Sequence, residues 1–197
     1  MFDCHMHTNF SLDGNMDASF ACETAIGLGL HGIAFTDHVD FDYPGEDFMI
    51  DFNQYFAEIS SVREKYSDRI KLLYSVEVGI QPHVLTESME LITGYPFDYV
   101  LASVHYTQAG GGRVAVDGPP ELVARCIREH FSGDGLAFAE DYYRTLGGYI
   151  RDYRPDIIGH LDLLTKHNAA WRFFDTAHPR YIRAARRAMD EAITGCR

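Results

Sequence analysis

The first residues able to do chemistry come almost at once. Phe2-Asp3-Cys4-His5-Met6-His7 sets two histidines two positions apart. In an extended strand, residues i and i+2 project to the same side, so His5 and His7 form a chelating pair of imidazoles for a transition metal. Thr8-Asn9-Phe10-Ser11-Leu12-Asp13-Gly14 reads as a loop, which puts the pair at the carboxyl end of a first strand. Four later apolar runs end in the same way. The run 32–36 stops at Asp37-His38, 70–76 at Glu77, 97–104 at His105 and 155–159 at His160. One histidine after a strand is ordinarily a hydrogen-bonded loop residue. Five successive strands ending on metal-competent side chains point to a metal site, because in a parallel barrel those ends converge on one rim.

The ligand types narrow the chemistry. Imidazoles with carboxylates suit Zn, Mn or Fe, and the absence of a thiolate cluster argues against a structural zinc finger. So many ligands call for more than one ion, and Glu77 has two oxygens with which to bridge a pair. Paired ions activate water and clamp a phosphoryl group in line, which favours hydrolysis of phosphate esters. The sequence carries no P-loop, no dinucleotide fingerprint and no Gly-x-Ser-x-Gly elbow.

The elements that must position these residues follow from periodicity. A strand at 2–7 leads to a helix capped by Asp17 or Ser19 and running to about Leu28, with Phe20, Ala21, Thr24, Ala25 and Leu28 on one face. The run 32–36 reads as a buried parallel strand. Phe52, Tyr55, Phe56, Ile59, Val62 and Tyr66 mark a second helix. A strand at 70–76, a helix from Pro82 to about Thr93 and a strand at 97–104 come next. After a Gly-rich stretch at 108–118, helices are expected from Pro120 to about Phe131 and from about Leu136 to Asp152. A strand at 155–159 and an amphipathic helix carrying Tyr181, Ile182, Ala185, Met189, Ala192 and Ile193 complete the pattern. Alternating strands and helices predict an α/β fold built on a parallel sheet or barrel.

Bulk properties bound the partners. With 197 residues and 46% apolar content, the chain can bury one sizeable core. A net charge of −12 argues against a nucleic-acid surface, which needs concentrated Lys and Arg. No stretch is apolar for long enough to span a membrane, and no apolar leader follows Met1. Cys4, Cys22, Cys126 and Cys196 are scattered without a CxxC pair, as expected of free thiols in a reducing, cytoplasmic setting.

Taken in order, several motifs carry a resemblance. These are His5-x-His7-Thr8 with Ser11-x-Asp13-Gly14, Thr36-Asp37-His38, Glu77-Val78-Gly79, Ser103-Val104-His105 and Gly159-His160-Leu161-Asp162. As a set they resemble the polymerase and histidinol phosphatase (PHP) superfamily, from residue 2 to about residue 168. The stretches Glu-Val-Gly-x-Gln-Pro-His at 77–83 and Gly-His-Leu-Asp at 159–162 favour its histidinol-phosphatase branch. The resemblance implies a distorted (β/α)7 barrel and a trinuclear site holding two to three divalent ions (Zn, Mn or Fe). It assigns His5, His7 and Glu77 to a first metal, Glu77, His105 and His160 to a second, and Asp13 and His38 to a third. Glu77, His105 and Asp37 are the expected catalytic set, with Asp37 and Asp162 orienting imidazoles from behind. His83, Arg113 in the Gly-rich stretch and Lys166 are candidates for holding the substrate. The expected reaction is L-histidinol phosphate plus water giving L-histidinol and phosphate, in histidine biosynthesis. Two alternatives stay open: a PHP phosphoesterase for another small phosphate ester or a nucleotide, and a non-catalytic PHP module that binds metal or a partner.

The pattern departs from the family near its end. The family has a sixth and a seventh strand and a late Asp-x-His segment, whereas His167 and His178 stand in no such context. Residues 1–197 are therefore expected to form a single PHP domain that lacks its last strands, with self-association through the open side of the barrel.

Overall fold

The computed structural model describes residues 1–42, 49–107 and 114–195. Five strands form one sheet in the order β1-β2-β3-β4-β5, so sequence order and spatial order coincide. They are β1 (Phe2–Met6), β2 (Gly32–Val39), β3 (Lys71–Gly79), β4 (Tyr99–Ser103) and β5 (Ile157–Ile158). β1 pairs with β2 and β2 with β3 in parallel. Helices fill the crossovers: α1 (Ala18–Gly27), α2 (Phe52–Lys65), α3 (Leu85–Thr93), α4 (Pro120–His130), α5 (Gly135–Tyr153), α6 (Asn168–Trp171) and α7 (Pro179–Gly195). The α/β alternation expected from periodicity is the one observed.

The chain divides into two compact units. The first is Met1–Val78 with Thr86–Leu101, and the second is Gly79–Leu85 with Ala102–Arg197. In the first, α1 and α2 bury their apolar faces on the sheet. Ala18, Ala21, Cys22 and Ala25 from α1 and Phe52, Tyr55, Ile59 and Val62 from α2 join Ile33, Phe35, Leu72, Val76 and Val78 in one core. Asp51 starts α2 by accepting from the Asn53 and Gln54 backbone N–H groups at 2.9 and 3.2 Å, a cap worth about 1 kcal/mol. Asp17, one of the two residues expected to cap α1, does so through the Phe20 N–H. The buried Tyr55 hydroxyl is shared between the Phe35 and Ser75 carbonyl oxygens, 3.1 and 2.7 Å away, and so ties the α2 core to both central strands.

In the second unit, α5 and α7 pack side by side. Gly147 lets α7 approach at Ala188, and the Tyr143 and Tyr181 hydroxyls meet at 2.9 Å. Arg180 donates to both Glu140 and Asp134. Gly135 opens α5 where the Phe173 carbonyl comes so close that any Cβ would collide with it. The Gly159 N–H donates to the Ala102 carbonyl at 2.9 Å and aligns the short β5 on the end of β4.

Several expected boundaries are corrected. β2 and β3 run past their apolar stretches, because His38 stays in register with Glu77 and Val39 with Val78. Parallel ladder bonding thus holds the polar residues 37–39 and 77–79 extended. α3 begins at Leu85 rather than Pro82, since residues 82–84 form a turn closed by the Val84 N–H on the Gln81 carbonyl. The stretch containing Trp171, read as plain loop, holds a 3-10 turn (Leu163–Thr165) and α6.

Candidate metal centre

Parallel register explains how the first unit brings its candidate ligands together. β2 and β3 place His38 directly beside Glu77. β1, on the other side of β2, ends on the His5–His7 pair. Glu77 is 0% exposed, and its Oε2 is approached by three imidazole nitrogens: His5 Nε2 at 3.1 Å, His7 Nε2 at 3.4 Å and His38 Nδ1 at 3.5 Å. The His7 and His38 rings stack with centroids 4.3 Å apart, and His5 meets His7 edge-on at 5.3 Å. One ligand atom from each of His7, His38 and Glu77 lies within 4.8 Å of the others, close enough to share one cation.

The loop after β1 fixes these rings. Asp37, fully buried, accepts from the Thr8 backbone N–H at 2.7 Å, the Thr8 hydroxyl at 2.9 Å and the Ser11 hydroxyl at 2.8 Å. Ser11 Oγ in turn accepts the His38 backbone N–H at 2.9 Å and lies 3.5 Å from His7 Nδ1. A hydroxyl has one proton, and that of Ser11 is committed to Asp37. His7 Nδ1 is therefore the donor in its contact with Ser11, which leaves the lone pair of Nε2 turned toward the Glu77 carboxylate. A lone pair facing a carboxylate is an arrangement that a cation between them relieves, so the donor set fits a divalent metal. Burial, with the neighbouring His38 next, pushes His7 below the ordinary imidazole value and favours the neutral form that a metal requires. The expected role of Asp37 behind the imidazoles thus has a route, through Ser11 to His7.

Two further carboxylates stand around His38. Asp13 and His38, both assigned to a third metal by the resemblance, lie close together: Asp13 Oδ2 is 3.4 Å from His38 Nε2, with the Asp13 side chain 55% exposed. Asp40 Oδ2 lies 3.3 Å from His38 Nδ1 and is 2% exposed. Sequence reading did not place Asp40 beside His38. Its signal was position: it lies two residues beyond His38, where an extended chain returns to the same side.

The second unit holds the other two expected histidines. His105 and His160 bring their rings to 5.5 Å, His105 following β4 and His160 following β5. The His105 carbonyl accepts from the Val116 N–H at 2.9 Å, and the His160 carbonyl from the Tyr142 hydroxyl at 2.8 Å, so both backbones are anchored.

The candidate substrate contacts are less gathered. His83 is exposed on the turn before α3. Lys166 is exposed and pairs with Asp117 at 2.9 Å. Arg113 lies outside the described residues, and Asp162 is exposed beside the 3-10 turn. Cys4, Cys22 and Cys126 are free thiols. Burial pushes Cys22 up to about 11 and also raises Cys126, so neither offers a thiolate at neutral pH. Among the described residues no helix is long and apolar enough to cross a membrane.

Comparison with known proteins bears on this arrangement. A family model described as the PHP domain matches residues 3–195. Histidinol-phosphatase of Lactococcus lactis is 32% identical over 165 residues, covering 84% of this chain and 58% of that protein. A probable histidinol-phosphatase of Clostridium acetobutylicum is 35% identical over 171 residues, covering 86% and 60%. The chain spans about three fifths of the length of the curated relatives it matches. Among solved structures, histidinol phosphate phosphatase from Lactococcus lactis, complexed with Zn, L-histidinol and phosphate, superposes with a TM-score of 0.75 at 26% identity, covering 98% of this chain and 68% of that one. A putative histidinol phosphatase from Listeria monocytogenes gives 0.82 at 19% identity, a likeness of fold, over 98% and 79%.

Proposed function

This chain belongs to the PHP domain family, and from that premise we propose that it is a metal-dependent phosphomonoesterase acting on L-histidinol phosphate. The observation that carries the reading is the buried Glu77 carboxylate ringed by His5, His7 and His38. The naming of its relatives as histidinol-phosphatases supports the substrate. In this reading the fold is a distorted (β/α)7 barrel. His5, His7, Asp13, His38, Glu77, His105 and His160 hold two to three ions of Zn, Mn or Fe, and His83, Arg113 and Lys166 serve the substrate. Bound ions there supply positive charge for the phosphoryl oxygens and lower the pKa of the attacking water.

The protein's own groups set up that chemistry. Glu77 brings negative charge into a site shielded from solvent, where a divalent cation offsets its desolvation. Ser11 and Asp37 hold His7 in the tautomer whose free nitrogen faces inward. The carboxylates of Asp13 and Asp40 surround His38 and favour a cationic organic group over a second anion. The enzyme is expected to work in the cytoplasm, where its thiols stay reduced. β1 lies at the edge of the sheet, where a second copy can pair with it.

The test is a phosphatase screen on metal-loaded protein with L-histidinol phosphate, an aryl phosphate and nucleotides. Preferential turnover of L-histidinol phosphate, lost with chelator and regained with Zn, Mn or Fe, is the expected result. Turnover of nucleotides alone would move the substrate elsewhere in the family. Metal uptake with no turnover of any substrate would refute the enzymatic reading and leave a metal-binding module.

A further inference from the structure

Gln81 is 1% exposed, and neither its side-chain oxygen nor its side-chain nitrogen has a hydrogen-bond partner. A carboxamide carries an acceptor and two donors, and burying all of them unpaired is costly. Native chains rarely retain such a group without a reason, which makes this orphan the outstanding polar feature of the second unit.

Its place in the fold supplies the reason. The Ile80 N–H donates to the Ser103 carbonyl at 2.7 Å, continuing the parallel ladder beyond the end of β3. In a parallel ladder that bond sets Ile80 beside Val104, both fully buried, and the next residues, Gln81 and His105, follow as neighbours. His105 in turn meets His160. Gln81 therefore lies beside His105 at the carboxyl end of the strands, where a parallel sheet takes its ligands. The Ser103 hydroxyl, buried at the same edge, is likewise unpaired.

A ligand that satisfies both ends of one carboxamide must offer a donor and an acceptor on adjacent atoms of its own skeleton. Resting on the phosphatase reading above, we propose that Gln81 contacts the substrate and selects a vicinal amino-alcohol phosphate. Its Oε1 accepts from the ammonium group, and its Nε2 donates to the neighbouring ester or phosphoryl oxygen. The residue distinguishes such substrates from phosphate esters without an amine, and it takes no part in bond breaking.

The test uses the full chain with equal metal loading. Gln81→Met keeps the length of the side chain and removes both polar ends. It should lower kcat/KM for L-histidinol phosphate by about ten- to a hundredfold, chiefly through KM, and lower that for phenyl phosphate at least about fivefold less, because phenyl phosphate offers only the oxygen that Nε2 contacts and no ammonium for Oε1. Its melting temperature should hold or rise, because an orphaned amide has been removed. Gln81→Glu keeps the acceptor, so L-histidinol alone should stabilise it against heat as it does the parent, and should fail to stabilise Gln81→Met. Equal losses on both substrates, or no loss on either, overturn the proposal, as does a Gln81→Met protein without a melting transition. A parent that turns over neither substrate ends the phosphatase reading, and the heat-shift arm then decides separately. Stabilisation by L-histidinol that Gln81→Met abolishes upholds the contact, and absence of stabilisation in the parent refutes it.

Discussion

Replacing Asp37 by alanine removes an acceptor that serves three donors at once: the Thr8 backbone N–H, the Thr8 hydroxyl and the Ser11 hydroxyl. All three residues are buried, so the donors do not gain water in exchange. The hydroxyls can turn to other acceptors, but the Thr8 N–H cannot. With about 1–3 kcal/mol for an orphaned buried donor and a similar amount for the charge-assisted hydroxyl bonds, a total loss of about 3–5 kcal/mol is expected. With a urea slope of about 2 kcal/mol per molar, the unfolding midpoint of the metal-free protein should fall by roughly 2 M at unchanged slope. The same change frees Ser11 from its fixed orientation, and His7 with it. Metal affinity should therefore fall by about 10–100-fold in the fraction that remains folded. Asp37→Asn keeps one acceptor oxygen and offers an amide that the Thr8 hydroxyl can accept from, so it should lose less than half as much stability. Urea unfolding of metal-free protein, followed by metal titration with a competing chelator, measures both quantities. An Asp37→Ala protein within about 1 kcal/mol of the parent, binding metal equally well, would show that the path from Asp37 through Ser11 to His7 does not organise the site.

Glu77→Gln should reduce metal uptake by at least about 100-fold, since the carboxylate that three imidazoles approach loses its charge; equilibrium dialysis with Zn checks it. Gly14→Ala should destabilise the chain by about 1–3 kcal/mol and weaken metal binding together, because its Cβ would fall 1.8 Å from the Thr8 carbonyl and force the 8–14 loop off Asp37 and His38; thermal melts with and without metal separate the two effects. His7 is held below its ordinary value of 6.5, so the unfolded chain takes up that proton first. Metal-free protein should thus lose stability as pH falls through 6.5, and His7→Gln should flatten the slope measured by urea unfolding between pH 7.5 and 5.5. Tyr55→Phe should cost about 1–2 kcal/mol without altering metal affinity, because the shared hydroxyl braces β2 and β3 from the core rather than touching a ligand; urea unfolding and metal titration read the pair of outcomes.

The candidate ligands are legible in the sequence because each is announced locally. His5 and His7 declare themselves by a two-residue spacing, and His38, Glu77, His105 and His160 by following apolar runs that read as strands whatever packs against them. Helix starts at Asp17 and Asp51 are local in the same sense, since a cap bonds to residues two or three positions on. What the tertiary structure decided is how far strands extend and which side chains meet. β2 and β3 carry their ladder through polar residues because each strand's backbone is bonded by its neighbour, information that lies some forty residues away in the chain. The bonds of Asp37 to Thr8 and Ser11 span 26 to 29 residues. The burial of Gln81 without a partner likewise leaves no mark in composition or period. Residue types and their spacing determine which groups can bind a metal. The tautomer each imidazole presents, and the unpaired amide left for a ligand, depend on contacts between distant segments, which form when the sheet does.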